Sequence, residues 1–170
     1  VESNSQANEF TNLNMAEVLD RCIKYHQPRA KKKDIKLEVA SPDIVMIYAE
    51  SEGIRQIMDN LIDNAIKYSL EDGLVQTFIK IENKRVILSV QDNGLGISEE
   101  HTERIFERFY RVDKARSREL GGTGLGLSIV KHLVNAFGGT VEVNSHPDKG
   151  TAFIVTLPLA ESSPTVATSS

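Results

Sequence analysis

The sequence predicts an α/β protein, because helical and strand patterns of hydrophobic residues alternate along it. The strongest helical pattern covers Glu50–Ser69, where apolar residues recur at every third or fourth position. Val75–Glu82 and Arg85–Gln91 alternate between apolar and polar residues and are separated by a short turn, which is typical of a β-hairpin. A second helical pattern begins directly after a glycine-rich run at residues 121–126 and ends at a pair of glycines.

Shorter elements complete the predicted order. A strand and an amphipathic helix are predicted over Leu13–Ala30, and we expect Pro28 to disturb the end of this helix. Ser98 resembles a helix N-cap, and the short helix after it is expected to end in the segment Ile105–Arg111. Further strands are predicted at Ile35–Val39, Val45–Tyr48, Thr140–Asn144 and Thr151–Leu157, the last two as a closing hairpin.

Composition restricts the class of protein. The chain has 170 residues, 40% of them hydrophobic and 26% charged, which is typical of one soluble globular domain. A net charge of −4 argues against nucleic acid as the main partner. Cys22 is the single cysteine, which excludes an internal disulfide and a cysteine-based zinc site. No apolar run has the length of a membrane span, and because the chain does not begin with Met we expect it to belong to a larger protein.

The predicted domain covers residues 12–159. We expect residues 1–11 to be a linker or the end of a preceding region, and residues 160–170 to be a disordered tail. Residues 106–124 are rich in charge and glycine and cannot build a core of their own, so they are predicted to form a mobile lid.

The glycine-rich run is a candidate phosphate-binding loop. Gly122, Gly124 and Gly126 alternate with single residues, and the helical pattern begins at once. The free N–H groups and the dipole of a helix N-terminus attract phosphate oxygens. The run is not a P-loop, because the chain has no Gly-Lys pair, and its G-x-G-x-G spacing after a polar segment differs from the dinucleotide fingerprint. A plain flexible turn is the alternative.

Two further segments carry candidate functional residues. Asn60, Asn64 and Lys67 share one face of the long helix, away from its apolar stripe. Because Asn is a mediocre helix former, two asparagines one turn apart indicate a function, and a solvated polar face is the alternative. Gly94 and Gly96 follow the second hairpin strand, where glycines permit positive φ and the close approach of a flat ligand.

Taken together, these segments resemble the conserved motifs of sensor histidine kinases. The resemblance covers about residues 12–158, and the motifs agree with those of the family in order and spacing. Within the family, the chain most resembles sensors of phosphate starvation or cell-wall state. The matching motifs are Asn60–Tyr68 (the N box), Asp92–Ile97 (the first glycine box), Ile105–Arg111 (the F box), Gly122–Ser128 (the second glycine box) and Gly150–Phe153 (a terminal glycine box).

The resemblance implies the Bergerat fold, a two-layer α/β sandwich in which a mixed five-stranded sheet packs on three helices. It also implies that Mg²⁺-ATP binds between the long helix and the lid. Asp92 would accept a hydrogen bond from the adenine amine and repel the carbonyl that guanine carries there. Asn60 and Asn64 would offer amide oxygens to Mg²⁺.

The remaining implied contacts fall into two groups. Those to the base come from Tyr68, Gly94, Gly96, Ile97 and Leu125. Those to the phosphates and the rest of the nucleotide come from Lys67, Gly122, Thr123, Gly124, Gly126, Leu127, Thr151 and Arg111, together with Lys114, Arg116 and Arg118. In this scheme Asn60, Asn64, Lys67 and Arg111 take part in catalysis.

The resemblance further implies that the γ-phosphoryl group goes to a histidine on a separate dimerisation domain. In the family this histidine is followed closely by an acidic residue, then a basic residue and proline. His26, His101, His132 and His146 do not match this pattern, and we expect them to be structural or surface residues.

The implied biological setting is two-component signal transduction. The partners would be the protein's own dimerisation domain and a response regulator, within a cytoplasmic part of a membrane-associated homodimer. The chain alone is expected to be monomeric, with no nucleic acid partner.

Rival activities share the same nucleotide fold. Gyrase-type, chaperone and mismatch-repair ATPases, and serine kinases that act as anti-sigma factors, carry a glutamate at the position of Asn60. A neutral amide is a poor general base, so Asn60 favours transfer to histidine over hydrolysis. A degenerate nucleotide-binding scaffold is disfavoured, because no ligand position is lost.

Overall fold

The computed structural model describes residues 9–108, 110 and 126–160. These residues form four helices and seven strands. The helices are α1 (Met15–Lys32), α2 (Ser51–Tyr68), α3 (Glu99–Thr102) and α4 (Gly126–Ala136). The strands are β1 (Phe10–Asn14), β2 (Lys36–Ala40), β3 (Met46–Glu50), β4 (Leu74–Glu82), β5 (Arg85–Asp92), β6 (Thr140–His146) and β7 (Gly150–Pro158).

Five of the strands form one mixed sheet in the order β2-β4-β5-β7-β6. The β2–β4 pair is parallel, and the other three pairs are antiparallel. This confirms the predicted mixed five-stranded sheet and both predicted hairpins. The predicted strands near residues 13 and 45 pair with each other instead, as a separate antiparallel β1–β3 ribbon.

Helix α2 is the centre of the helical layer. It packs against α1 on one side and α4 on the other, and it also contacts β5 of the sheet. The apolar stripe predicted from the sequence is buried along its whole length. Its members are Ile54, Ile57, Met58, Leu61, Ile62 and Ala65, each 3% exposed or less.

Several boundaries differ from those predicted. Helix α1 continues through the exposed Pro28 to Lys32, because the side chains of Arg29 and Lys33, which follow the proline, hold this part of the chain against α2. Helix α3 ends at Thr102, and turns replace the helix expected to continue into the segment beginning at Ile105. Ser98 occupies the N-cap position, but its side chain makes no capping hydrogen bond.

The described secondary structure and backbone contacts extend slightly beyond residues 12–159 at both ends. Strand β1 begins at Phe10, two residues before the predicted start, and the Ala160 N–H donates to the Met46 carbonyl one residue past the predicted end. Residues 1–8, 161–170 and most of the predicted lid lie outside the described residues. Within the described part, no helix has the length and hydropathy needed to cross a membrane.

Replacing Leu61 tests whether the stripe of α2 supports the fold. Leu61 is fully buried, so Leu61→Ala is expected to lower the free energy of unfolding by about 2–5 kcal/mol through lost burial and a cavity. Ile44→Ala is the control, because this side chain is 66% exposed, and its expected change is about 0.5 kcal/mol or less. Urea unfolding measures both, and equal losses would contradict the central position of α2.

Candidate functional site

The polar face of α2 meets the first turn of α4. Asn60 and Asn64 are half-buried on this face. A Cβ atom added to Gly126 would lie 3.3 Å from the Asn60 Oδ1, so the backbone of α4 starts directly beside this amide. Leu127 is half-buried against the core and anchors the same turn. The structure therefore brings Asn60, one of the two candidate metal ligands, to the end of the glycine-rich run.

Lys67 continues this face but is already paired. Its Nζ lies 3.1 Å from the Asp63 Oδ2, and Asp63 also accepts a hydrogen bond from Arg29 Nη1 on α1. Neither Asp63 nor Arg29 was predicted to belong to the site. The contact between them joins two helices and has no signature in the local sequence.

Asp92 ends strand β5 as a buried acceptor. The residue is 4% exposed, and its Oδ1 accepts a hydrogen bond from the Gly94 N–H at 2.8 Å. Burial raises the pKa of Asp92 to about 6, although hydrogen bonds from the backbone of Gly94 and Thr151 act in the opposite direction. An additional N–H donor from a ligand would stabilise the ionised carboxylate.

The glycines after Asp92 are required by the protein's own backbone. A Cβ atom on Gly94 would lie 2.2 Å from the Tyr68 carbonyl oxygen, and one on Gly96 would lie 1.9 Å from the His146 carbonyl oxygen. Positive φ is found at Gly96, at 78°, but not at Gly94. The expectation of positive φ is thus correct for one of the two. Their packing fixes Asp92 beside the half-buried Tyr68 at the end of α2.

Thr151 and Ile97 are connected through Ser145. The buried Thr151 pairs with Asp92 across the β5–β7 ladder, and its Oγ1 lies 2.8 Å from the Ser145 Oγ. The Ile97 N–H donates to the same Ser145 Oγ at 2.7 Å. Sequence reasoning missed Ser145, because a serine in an edge strand carries no distinguishing pattern.

The residues present fit a Mg²⁺-nucleotide. The described residues contain no cluster of three or more His, Cys, Asp or Glu side chains with metal-binding geometry. Mg²⁺ in proteins is commonly held by one or two side chains together with phosphate oxygens, which suits the two amides of α2. A further polar group lies next to Tyr68: the buried hydroxyl of Ser69 has no hydrogen-bond partner within the described part of the chain.

Some predicted contacts lie outside the described residues and stay predictions. They are Gly122, Thr123, Gly124, Leu125, Arg111, Lys114, Arg116 and Arg118.

The four histidines occupy structural or surface positions, as expected. His26 is buried, with Nε2 3.0 Å from Asp59 Oδ1 across the α1–α2 interface. His101 Nδ1 is hydrogen-bonded to the Tyr110 hydroxyl. His132 and His146 are exposed.

Comparison with known proteins establishes the family. Residues 49–161 match the family model described as "Histidine kinase-, DNA gyrase B-, and HSP90-like ATPase". This range covers more than half of the chain and includes α2, the segment after Asp92 and the glycine-rich run. The chain belongs to this family of ATPases.

Within the family, the chain is similar to sensor histidine kinases. It is 48% identical over 114 residues to the sensor histidine kinase WalK of Bacillus subtilis. The aligned region covers 66% of the chain and 19% of WalK. The chain thus spans about a fifth of the length of this relative. The similarity confirms the resemblance found in the sequence.

Solved structures agree with this assignment. Full-length ShkA in complex with AMPPNP superposes with a TM-score of 0.78 at 32% identity, over 90% of the chain and 32% of ShkA. Histidine kinase ThkA in complex with the response regulator TrrA gives a TM-score of 0.75 at 25% identity, over 89% of the chain and 42% of that chain. These likenesses confirm the predicted α/β fold.

The burial of Asp92 predicts a pH dependence of stability. The pKa of its carboxyl group is about 6 in the folded chain and 3.8 ordinarily, so the folded state binds this proton more tightly. The stabilisation of the folded state by this tighter proton binding is complete below about pH 4 and is lost as the pH rises through about 6. The measured quantity is the free energy of unfolding of the unsubstituted protein minus that of Asp92→Asn. We expect this difference to fall by an amount on the order of 2–3 kcal/mol as the pH rises from below about 4 to above about 6.

Urea unfolding of both proteins at a series of pH values measures this difference. Asp148→Asn, which neutralises an exposed carboxylate on the β6–β7 turn, is the matched control. A difference that stays constant or rises with pH would contradict a raised pKa at Asp92.

Proposed function

We propose that this domain binds Mg²⁺-ATP between α2 and the first turn of α4 and transfers the γ-phosphoryl group to a histidine on a separate dimerisation domain. The observation that carries the proposal is the placement of the start of α4 beside Asn60, on the polar side of α2 that also carries Asn64 and Lys67, with the buried Asp92 close to the end of this helix. The ATPase family and the AMPPNP complex of ShkA support ATP as the nucleotide.

Recognition of the base would depend on Asp92. Its buried carboxylate accepts hydrogen bonds and donates none when ionised, so it matches the amine of adenine and opposes the carbonyl of guanine. Tyr68 and Ile97 are half-buried beside it and would contact the ring. Gly94 and Gly96 would help indirectly, by holding Asp92 and Tyr68 together.

Recognition of the phosphates would depend on α2 and α4. Asn60 and Asn64 would coordinate Mg²⁺, which neutralises charge on the phosphate oxygens when it is bound. Lys67 would contact a phosphate as a point charge. Gly126 and Leu127 would present the backbone N–H groups at the start of α4.

The acceptor is proposed to be histidine rather than water. Hydrolysis requires a group that polarises the attacking water, and the amide of Asn60 is a poor base. A neutral imidazole attacks with its own lone pair and needs less assistance. Phosphoryl transfer then depends mainly on alignment and charge neutralisation, which this set of residues provides.

The biological setting is proposed from the relatives. WalK is a sensor histidine kinase, and the ThkA complex contains a response regulator. We therefore propose that the domain acts in the cytoplasm as part of a larger homodimeric, membrane-associated sensor and that its phosphohistidine supplies a response regulator. The domain alone is proposed to be monomeric.

Nucleotide selectivity tests the role of Asp92. The protein is expected to bind Mg²⁺-ATP with a Kd of roughly micromolar to millimolar and GTP more weakly, because the guanine carbonyl would face a carboxylate. Asp92→Asn is expected to weaken ATP binding at least about tenfold. Calorimetric titration measures both, and equal affinity for ATP and GTP would exclude the proposed contact.

Transfer to histidine can be tested directly. The domain is mixed with labelled ATP, Mg²⁺ and a dimerisation fragment of a related sensor kinase that carries its histidine. Acid-labile, base-stable label on the fragment is the expected result, and steady release of free phosphate would favour the ATPase alternative. Asn64→Ala is expected to abolish transfer while circular dichroism shows an intact fold, and a collapsed spectrum would assign Asn64 to the fold instead.

A further inference from the structure

We propose that Arg29, on α1, is a positioning residue that masks the charge of Asp63 and thereby controls how strongly the polar face of α2 attracts the phosphates of the nucleotide. The inference rests on the proposed function, since it concerns phosphate recognition at the same site. Arg29 itself lies on the neighbouring helix and acts through Asp63 and Lys67.

Asp63 places a negative charge where phosphates are expected. It directly precedes Asn64 and lies three residues after Asn60, so it is on the same helical turns as the proposed Mg²⁺ ligands. Its side chain is 31% exposed. An unmasked carboxylate at this position would repel a nucleotide that carries several negative charges.

Two cations hold this carboxylate. Arg29 donates through Nη1 to one oxygen, and Lys67 Nζ lies 3.1 Å from the other. Each carboxylate oxygen of Asp63 thus faces a cation, and the three side chains form one cluster of paired charges.

The summed charge of Arg29, Asp63 and Lys67 determines whether this face attracts a phosphate. With Arg29 present, two cations and one carboxylate give a net charge of +1. Without Arg29 the net charge is zero, and Lys67 is the remaining cation paired with Asp63 among the described residues. Binding a phosphate through Lys67 would then require this lysine to leave a carboxylate that has no second partner.

The α1–α2 interface does not depend on Arg29 alone. His26 contacts Asp59 one turn before Asp63, and Lys33 Nζ donates to the carbonyl oxygens of Ile66 and Lys67 at 2.7 and 3.2 Å. The Arg29 side chain is 41% exposed. Arg29→Ala is therefore expected to fold, which thermal unfolding of each variant verifies.

Calorimetric titration with Mg²⁺-ATP and with adenosine, at fixed ionic strength, separates phosphate recognition from base recognition. Arg29→Ala is expected to weaken ATP binding about three- to tenfold and to leave adenosine binding unchanged. Arg29→Lys keeps the charge and is expected to bind ATP within about twofold of the unsubstituted protein.

The double variant Arg29→Ala/Asp63→Asn provides the sharpest test. Removing both charges restores a net charge of +1 on this face through Lys67, so ATP affinity is expected to return to at least that of the unsubstituted protein. A purely structural contribution of the Arg29–Asp63 pair predicts no such rescue.

Lys31→Ala is the matched control. Lys31 is exposed near the end of the same helix, and its removal changes the net charge of the chain by the same amount. ATP affinity is expected to change less than about twofold, because charges exposed to solvent are screened. An equal loss in Arg29→Ala and Lys31→Ala would mean that only the overall charge matters and would overturn the proposal.

Other outcomes also decide between the two proposals. ATP binding by Arg29→Ala equal to that of the unsubstituted protein, parallel losses for ATP and adenosine, or a double variant as weak as Arg29→Ala would each overturn the positioning role. If Arg29→Ala does not fold, ATP binding by the single variant Asp63→Asn decides instead. Unchanged or tighter binding supports the positioning role of Arg29, and weaker binding overturns it. Failure of the unsubstituted protein to bind ATP would instead reject the proposed function.

Discussion

The site depends on the burial of one face of α2. This helix lies between α1 and α4 and against the sheet, and its apolar stripe is buried almost completely. Each residue of a helix is rotated by about 100° from the one before. The burial of Leu61 and Ile62 therefore fixes the direction of Asn60 and Asn64. Packing of the core thus orients the amide side chains of α2.

The elements that the sequence predicted well are those set by local patterns. The period of apolar residues located α2, and the alternation in β4 and β5 located the central hairpin, because burial of one face imposes these periods. Helix ends were less well predicted. The sequence around Pro28 indicates a disturbed helix end, whereas contacts from α2 extend α1 past it.

The parts that escaped prediction are set by tertiary contacts. Arg29 and Asp63 are 34 positions apart, and Ile97 and Ser145 are 48 positions apart. Nothing in either local sequence indicates its partner. For the glycines near Asp92 the sequence suggested close approach of a ligand, whereas the structure shows close approach of the chain's own carbonyl groups, from Tyr68 and His146. A motif can thus indicate where a site lies before the structure explains which contacts require its residues.

The β1–β3 ribbon has a mechanical consequence for the domain. Phe10, the first residue of β1, pairs with Glu50, the last residue of β3, and α2 begins at the next residue. Strand β1 continues directly into α1 in the same way. Both helices are therefore connected at their first turns to one short ladder. A rotation of the backbone at Phe10 would therefore reach α1 along the chain and α2 across the ladder.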